Sequence, residues 1–331
     1  MTATARPPLV LDFVAESFAA RARPSLAKAG SDTPIAVIVP AWFGMADRHQ
    51  LLTHLDPAGR LPVGLVSSAL VAALGRYPSR SVRRSKAPVL VLDVRVGWSA
   101  GLIQFSPSGP TEIAAWGIAP HEVAGRLDDA VICPWFVEHL FAAASGIAGT
   151  TSIRAVVVID DVGGRAAMVD GAVQHSDHPL ARCPVHVSKS QQLVSGATTL
   201  VSPHVGVPRS VGVLAHALTV RADGDPERLA MHVVAAEQAL IPSTTRQLFE
   251  LGPDDGAPLH FDIYEQHRSA PGQASIDHRL VVRAHLVRER GYDQRMMVTF
   301  DLASNGLLSV GPVKAWRLDW QPGALSLDSA V

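Results

Sequence analysis

The stretch VLVLDVRVGWSAGLIQF, Val89 to Phe105, decides how the rest of the chain is read. Val89 to Leu92 is an unbroken branched-aliphatic run, Asp93 to Ser99 collects small and polar residues, and Gly101 to Phe105 is largely apolar again. That pattern predicts two strands about one tight turn, a β-hairpin at the centre of a domain. Asp93 then stands where the chain reverses. A turn of this kind offers backbone N–H groups to a phosphate, provided glycines let the ligand come close. Here the tip reads Arg95-Val96-Gly97-Trp98, so the outline is that of a phosphate loop while its chemistry is damaged.

A chain of 331 residues has room for two domains with separate cores. With 47% hydrophobic and 18% charged residues, the composition is that of a soluble globular protein. A formal net charge of −1 gives no electrostatic case for nucleic acid or an anionic membrane as partner. Two cysteines, Cys133 and Cys183, argue against a disulfide framework and fit a reducing compartment. The opening residues MTATARPP carry no basic patch leading into an apolar stretch, and no window is long and apolar enough to span a bilayer. The expectation is a cytoplasmic protein.

Working outward from the hairpin, strand-like and helix-like segments alternate on both sides. Residues 9 to 29 place Leu9, Phe13, Val14, Phe18 and Ala22 near helical spacing and predict an amphipathic helix perturbed at Pro24. Ile35 to Phe43 reads as a buried strand ended by Pro40, Met45 to Leu55 as a helix, and Val63 to Leu74 as another helix. The basic connection Arg76 to Lys86 carries one aromatic, Tyr77, beside its first cation and none among the rest, and reads as a solvated loop. Val123 to Ala144 predicts a helix with a bend at Pro134, Ile153 to Ile159 a buried strand, and Gln191 to Val201 a short helix. The alternation predicts an α/β domain with a mostly parallel sheet over residues 1–202. Pro203 to Val213, with two prolines and two glycines, is the expected linker. From 214 to 331 the period shortens: strand-like segments separated by ADGDP, GPDDGAP and ASNG predict an antiparallel β-sandwich.

Taken in order, these segments resemble the 70-kDa heat-shock chaperone family. IAVIVPAWFGMADRHQ resembles the family's Ala-Val-Ile-Thr-Val-Pro-Ala-Tyr-Phe strand, and GLVSSALVAALG its Asn-Glu-Pro-Thr-Ala-Ala-Ala segment. VLVLDVRVGWSAGLIQF is similar to the second phosphate hairpin, normally Asp-Leu-Gly-Gly-Gly-Thr. AVVVIDDVGGR stands where the adenosine-contacting Val-Gly-Gly-Ser-Thr-Arg segment falls, and VSKSQQLVSGATTL resembles the closing helix. In the second half ALIPSTTRQLFEL, APLHFDIYEQ and above all VTFDLASNGLLSV (Val298 to Val310) resemble strands of the substrate-binding sandwich. The resemblance implies a partial actin-like (ribonuclease H-like) nucleotide-binding domain followed by a chaperone-type β-sandwich. Departures are equally clear. Against the family, the expectation is that the opening Asp-Leu-Gly-Thr-Thr loop is missing, the resemblance starting at a late helix of the first lobe, and that the helical lid is missing after Trp320.

Nucleotide-contacting positions carried over from the resemblance are Asp93, Arg95, Gly97, Gly163, Gly164 and Arg165. A triphosphate is held by backbone N–H groups from two opposed loops and a carboxylate-anchored metal. Loss of roughly four charge-assisted bonds, each worth about 1.5–3 kcal/mol, lowers affinity by several powers of ten. The expectation is therefore a degenerate site with no cofactor, ATP with magnesium being the alternative. Arg95 serves either as a side-chain fork for phosphate or as the occupant of an empty phosphate site. Asp93 either holds a metal-bound water or caps a turn, and Gly163-Gly164 lies either under an adenine or in a sharp bend. Leu218, Phe249, Leu259 and Phe261 are the positions the resemblance places in or beside a groove for an extended apolar peptide; the competing reading makes them core. The run His175, Asp177, His178, Cys183 and His186 fits no tetrahedral zinc spacing, and no Gly-x-Ser-x-Gly elbow or HExxH helix occurs. The function expected is binding of polypeptide or a specific protein partner without ATP turnover. Two alternatives stand beside it: a weak ATP-driven chaperone completed by a partner chain, and a structural protein using a free sheet edge for homo- or hetero-oligomeric assembly.

Overall fold

Both faces of the strand Val89–Asp93 are buried: Leu90 and Leu92 enter one apolar cluster, Val89 and Val91 another. A strand covered on both sides needs an unbroken apolar run, and this run makes it the centre of a layered α/β body. The computed structural model describes residues 8–14, 18–28, 33–56, 63–77, 87–106, 109–118, 120, 128–147, 150–201, 212–213, 216–222, 231–236, 238–250, 259–268, 276–286, 295–303, 307–311 and 316–321. Its α/β body contains β1 (Leu9–Asp12), α1 (Phe18–Lys28), β2 (Ile35–Val39), α2 (Met45–Leu55), β3 (Val63–Ser67) and α3 (Ser68–Arg76). It continues with β4 (Val89–Asp93), β5 (Trp98–Ser106), β6 (Gly109–Ile118), α4 (Asp129–Ser145), β7 (Ala155–Ile159), α5 (Gly164–His175), β8 (Val185–Ser188) and α6 (Ser190–Val201).

Two sheets organise this body. A parallel sheet in the order β1-β2-β3 forms the first half, and a mixed sheet in the order β6-β5-β4-β7-β8 the second. In the second, β5 runs antiparallel to β4 and β6, while β7 and β8 continue parallel to β4. Helices α3 and α6 fill the layer between the sheets, burying Leu70, Leu74, Leu193 and Leu200 against Ala36, Ile38, Val89 and Val157. They cross closely, because a Cβ on Gly196 would collide with the Val71 carbonyl and one on Gly75 with that of Gln192. Outside the first sheet lie α1 and α2, through Ala22, Leu26, Leu51 and Leu55; outside the second lie α4 and α5, through Phe136, Leu140, Val169 and Val173.

Beyond α6 the described elements are strands: β9 (Gly212–Val213), β10 (Ala217–Ala222), β11 (His232–Ala235), β12 (Leu240–Ile241), β13 (Ser243–Glu250), β14 (Leu259–Arg268), β15 (Ile276–Leu286), β16 (Arg295–Leu302), β17 (Leu308–Gly311) and β18 (Trp316–Trp320). They pair antiparallel as β11-β10-β14-β15-β18, β13-β16-β17 and the short β12-β9. Phe249, Phe261 and Phe300 pack edge-on at their shared core, with ring centroids 4.7 Å apart for Phe249–Phe261 and 6.4 Å for Phe249–Phe300. The protein is thus α/β followed by antiparallel β-layers. Among the described residues no helix is long and apolar enough to cross a membrane.

Three local readings change. Residues 9 to 29 hold a strand and a helix, since Leu9 to Asp12 pair in parallel with Ile35 to Ile38; Leu9 and Phe13 mimic a helical spacing that the pairing overrides. Val63 to Leu74 likewise divides at Ser67, whose hydroxyl accepts the Leu70 N–H and caps α3. Strands β6 and β8 and helix α5 join the body where no element was expected. The expected linker lies outside the described residues except for Gly212–Val213, which form β9. Of the basic connection, 78–86 lies outside them too.

Candidate functional site

In layered α/β sheets the C-terminal ends of parallel strands open into the crevice where ligands bind. Here that edge collects Asp12 from β1, Asp93 from β4, the Asp160-Asp161 pair after β7, and Lys189-Ser190 after β8. Asp12 and Asp93 belong to different sheets, and between them lies the guanidinium of Arg95. Its Nε and Nη2 donate to the two Asp93 carboxylate oxygens at 2.9 and 2.8 Å, a bidentate fork. Nη1 donates to Asp12 Oδ2 at 2.5 Å and to Ser190 Oγ at 3.0 Å, with Asp161 Oδ2 3.9 Å away. The side chains of Arg95 and Asp12 are each 4% exposed and that of Asp93 2%. Burial disfavours the charge on Arg95, but the carboxylates of Asp93 and Asp12 outweigh it and hold the guanidinium firmly protonated.

The loop after β7 is stapled to α6. Ser190 donates its N–H and hydroxyl to the Asp161 carboxylate at 2.9 and 2.6 Å, and Lys189 Nζ donates to the Asp160 and Asp161 carbonyls at 2.8 and 2.9 Å. Asp160 accepts the Val162 and Ala166 N–H groups at 3.0 and 2.8 Å. Burial works against its charge, yet the backbone donors Gly163, Ala166 and Val162 hold its carboxyl below the ordinary value. Asp160 therefore caps α5. Gly163 adopts φ +98°, the left-handed turn into that helix, and the space around both Gly163 and Gly164 is open.

Arg165 is fully engaged. It grips Asp129 through Nε and Nη2 at 2.8 and 3.2 Å, donates Nη1 to the Val94 carbonyl at 2.7 Å, and lies over the Trp98 ring. Gly97, at φ +69°, serves the protein's own backbone: a Cβ there would stand 2.8 Å from the Ile118 carbonyl and 3.1 Å from Trp42 Nε1. Trp42 from the first half donates its Nε1–H to the Val96 carbonyl at 2.9 Å, and Ser67 donates to Glu112 across the same seam at 2.7 Å. Direct contacts thus close the two halves on each other around Arg95.

In the β-layers Leu218 and Phe261 are 0% exposed and Phe249 2%. They are core, reached by an extended ligand only if the layers part. Leu259 opens β14 opposite Leu286. The His175–His186 run is used locally: His175 Nδ1 bonds the Gly171 carbonyl, and His178 Nδ1 accepts the Leu180 N–H. Among the described residues no group of three or more His, Cys, Asp and Glu side chains stands ready for a metal. Burial pushes the thiols of Cys133 and Cys183 up to about 11, so neither is a thiolate at neutral pH.

Asp12, Trp42, Asp161 and Ser190 were not singled out in the sequence. One signal for the first was there: Leu9-Val10-Leu11-Asp12 repeats Leu90-Val91-Leu92-Asp93 letter for letter. Each copy is a strand ending in a buried aspartate, fully buried in β4 and buried at Leu11 and Asp12 in β1. The geometry defines a class: an α/β protein with an attached antiparallel β-unit, whose inter-sheet site is filled by its own guanidinium. Compared with protein-family models and with curated proteins, the chain matches none.

Proposed function

We propose that the chain is a heat-shock-70-like protein, actin-like in its α/β body and chaperone-like in its β-unit, which binds a polypeptide or a specific protein partner without an ATPase cycle. The observation that carries this reading is the Asp12–Arg95–Asp93 bridge. A nucleotide-operated cleft needs two carboxylate-bearing loops free to receive a metal and phosphates; here the cation between the carboxylates is covalently part of the protein. The actin-like assignment is supported by the second sheet, where an antiparallel hairpin and a third strand are extended by two parallel crossover strands. The repeat of Leu-Val-Leu-Asp at the head of each half supports it as well.

The alternative in which Arg95 grips a phosphate is less well supported, since its donors already serve Asp93, Asp12 and Ser190. Activity then resides in surfaces of the β-unit other than its phenylalanine core. Isothermal titration of the intact chain with ATP and magnesium, beside a peptide-array screen, tests the reading. It expects no nucleotide heat and saturable capture of a subset of peptides. Micromolar nucleotide binding with turnover removes it.

A further inference from the structure

The β-unit touches both halves of the α/β body, through different elements. On the first half it meets α2. Met45 and Ala46 are 1% and 2% exposed and lie within the β-unit's own core, beside Val281, Val282 and Ala284, with Leu318 and Trp320 packed against it. The Met45 N–H donates to the Glu265 carboxylate at 3.2 Å, Glu265 is 3% exposed, and His49 stacks on Trp320 with ring centroids 4.2 Å apart. The layer opposite the β-unit's five-stranded sheet has three strands, and α2 supplies cover over β15 and β18.

On the second half it meets β6. The Gln238 side-chain amide accepts the Ala115 N–H at 2.6 Å and donates to the Ala115 carbonyl at 2.8 Å, pairing with that edge strand as another strand would. Gln238 does this from φ +66°, a left-handed conformation unfavourable for a non-glycine residue that persists where surrounding contacts impose it. The same corner holds the first half. Ala41 packs on Ala115, and Gly117 lies so close to the Trp42 backbone that no Cβ fits. Trp42 in turn holds the carbonyl beside Arg95. Burial disfavours the charge on Arg48 of α2 and holds it below the ordinary arginine value, with Glu265 of β14, Glu112 of β6 and Asp47 only partly offsetting this.

We infer that the β-unit is a brace: by gripping α2 and β6 together it holds the two halves of the α/β body shut over Arg95, so that the Gln238 contact and the buried arginine site are energetically coupled. The coupling runs through Ala115, Gly117 and Trp42 and requires no nucleotide. A hinge between the halves cannot open while both anchors hold.

Hydrogen-exchange mass spectrometry on the full chain tests this with Gln238→Ala, and with Thr244→Ala at an exposed site on β13 as control. Losing two hydrogen bonds predicts roughly tenfold faster exchange in the affected unit. The expected pattern is faster exchange at 236–241 and, together with it, at the ends of β1 and β4 around Asp12 and Arg95, with Thr244→Ala unchanged. Gln238→Gly relaxes the positive φ while losing the same bonds; it repeats the pattern if the bonds, not the strain, carry the coupling. Faster exchange confined to 236–241 and β6 overturns the inference. An equal rise in every segment, α4 and α5 included, overturns it too, since that marks plain loss of stability.

Discussion

Arg95 is the residue on which the site turns. An arginine buried against two carboxylates is costly to place and costlier to unpair, because removal of one partner leaves charge without compensation. Arg95→Ala leaves Asp12 and Asp93 facing each other at 4% and 2% exposure. The expected loss of folding stability is about 3–5 kcal/mol, read as a drop in the denaturant midpoint at unchanged slope; a loss below about 1 kcal/mol contradicts the assignment of the bridge as structural. A second residue contributes to the acid dependence of stability. Asp262 receives Arg283 through Nε and Nη2 at 2.5 and 3.0 Å. Burial opposes its charge, but Arg283 and then Arg221 hold the carboxyl below the ordinary aspartate value of 3.8. A carboxyl lowered in the folded state contributes stability that is whole above 3.8 and is lost as pH falls through the folded value. Asp262→Asn therefore lowers the urea midpoint at pH 7 and narrows the fall between about pH 5 and pH 2, which urea titrations at both ends measure.

Among the elements, the α3–α6 pair bears the closest approach. Helices meet backbone to backbone only where small residues line the contact, and Gly75 and Gly196 occupy those places. Gly196→Ala gains helix propensity of up to about 1 kcal/mol but drives a methyl into the Val71 carbonyl. Overpacking of this kind costs about 1–3 kcal/mol, so the variant is expected to melt below the parent. A higher melting temperature rejects the close crossing. These elements were legible to different degrees. β2, β4, β5 and β7 stand in the sequence as apolar runs that match their near-continuous burial, and α2 spans the residues its sequence predicts, although it buries Met45, Ala46 and Asp47 in succession. β1 did not, because four residues are too few to establish a period and Phe13 continues a false helical one. β6, GPTEIAAWGI, was hidden by glycine and proline, which read as turn residues, and by Glu112, buried on an apolar strand because Ser67 pairs with it across the seam.

The whole molecule is three packed bodies closed on one another, two α/β halves and a β-unit that contacts both. A ligand that bound only the folded state would stabilise it by about 2.7 kcal/mol at one hundred times its dissociation constant. The filled site predicts that millimolar ATP with magnesium leaves the melting temperature where it is. A dose-dependent rise, seen by differential scanning fluorimetry, would show that Arg95 gives way to nucleotide.

Periodicity and composition were sufficient for the α/β body followed by antiparallel strands, since alternation of burial along a strand is written residue by residue. They also place Arg95 and Val96, both with side chains, at the turn where a phosphate cradle carries glycines. What fills the site was decided only in three dimensions. Asp12 and Arg95 are separated by 83 positions, Gln238 and Ala115 by 123, and Met45 and Glu265 by 220. No local pattern encodes such pairs; they exist because the sheets stack and bring strand ends of like composition face to face, where one cation satisfies both carboxylates.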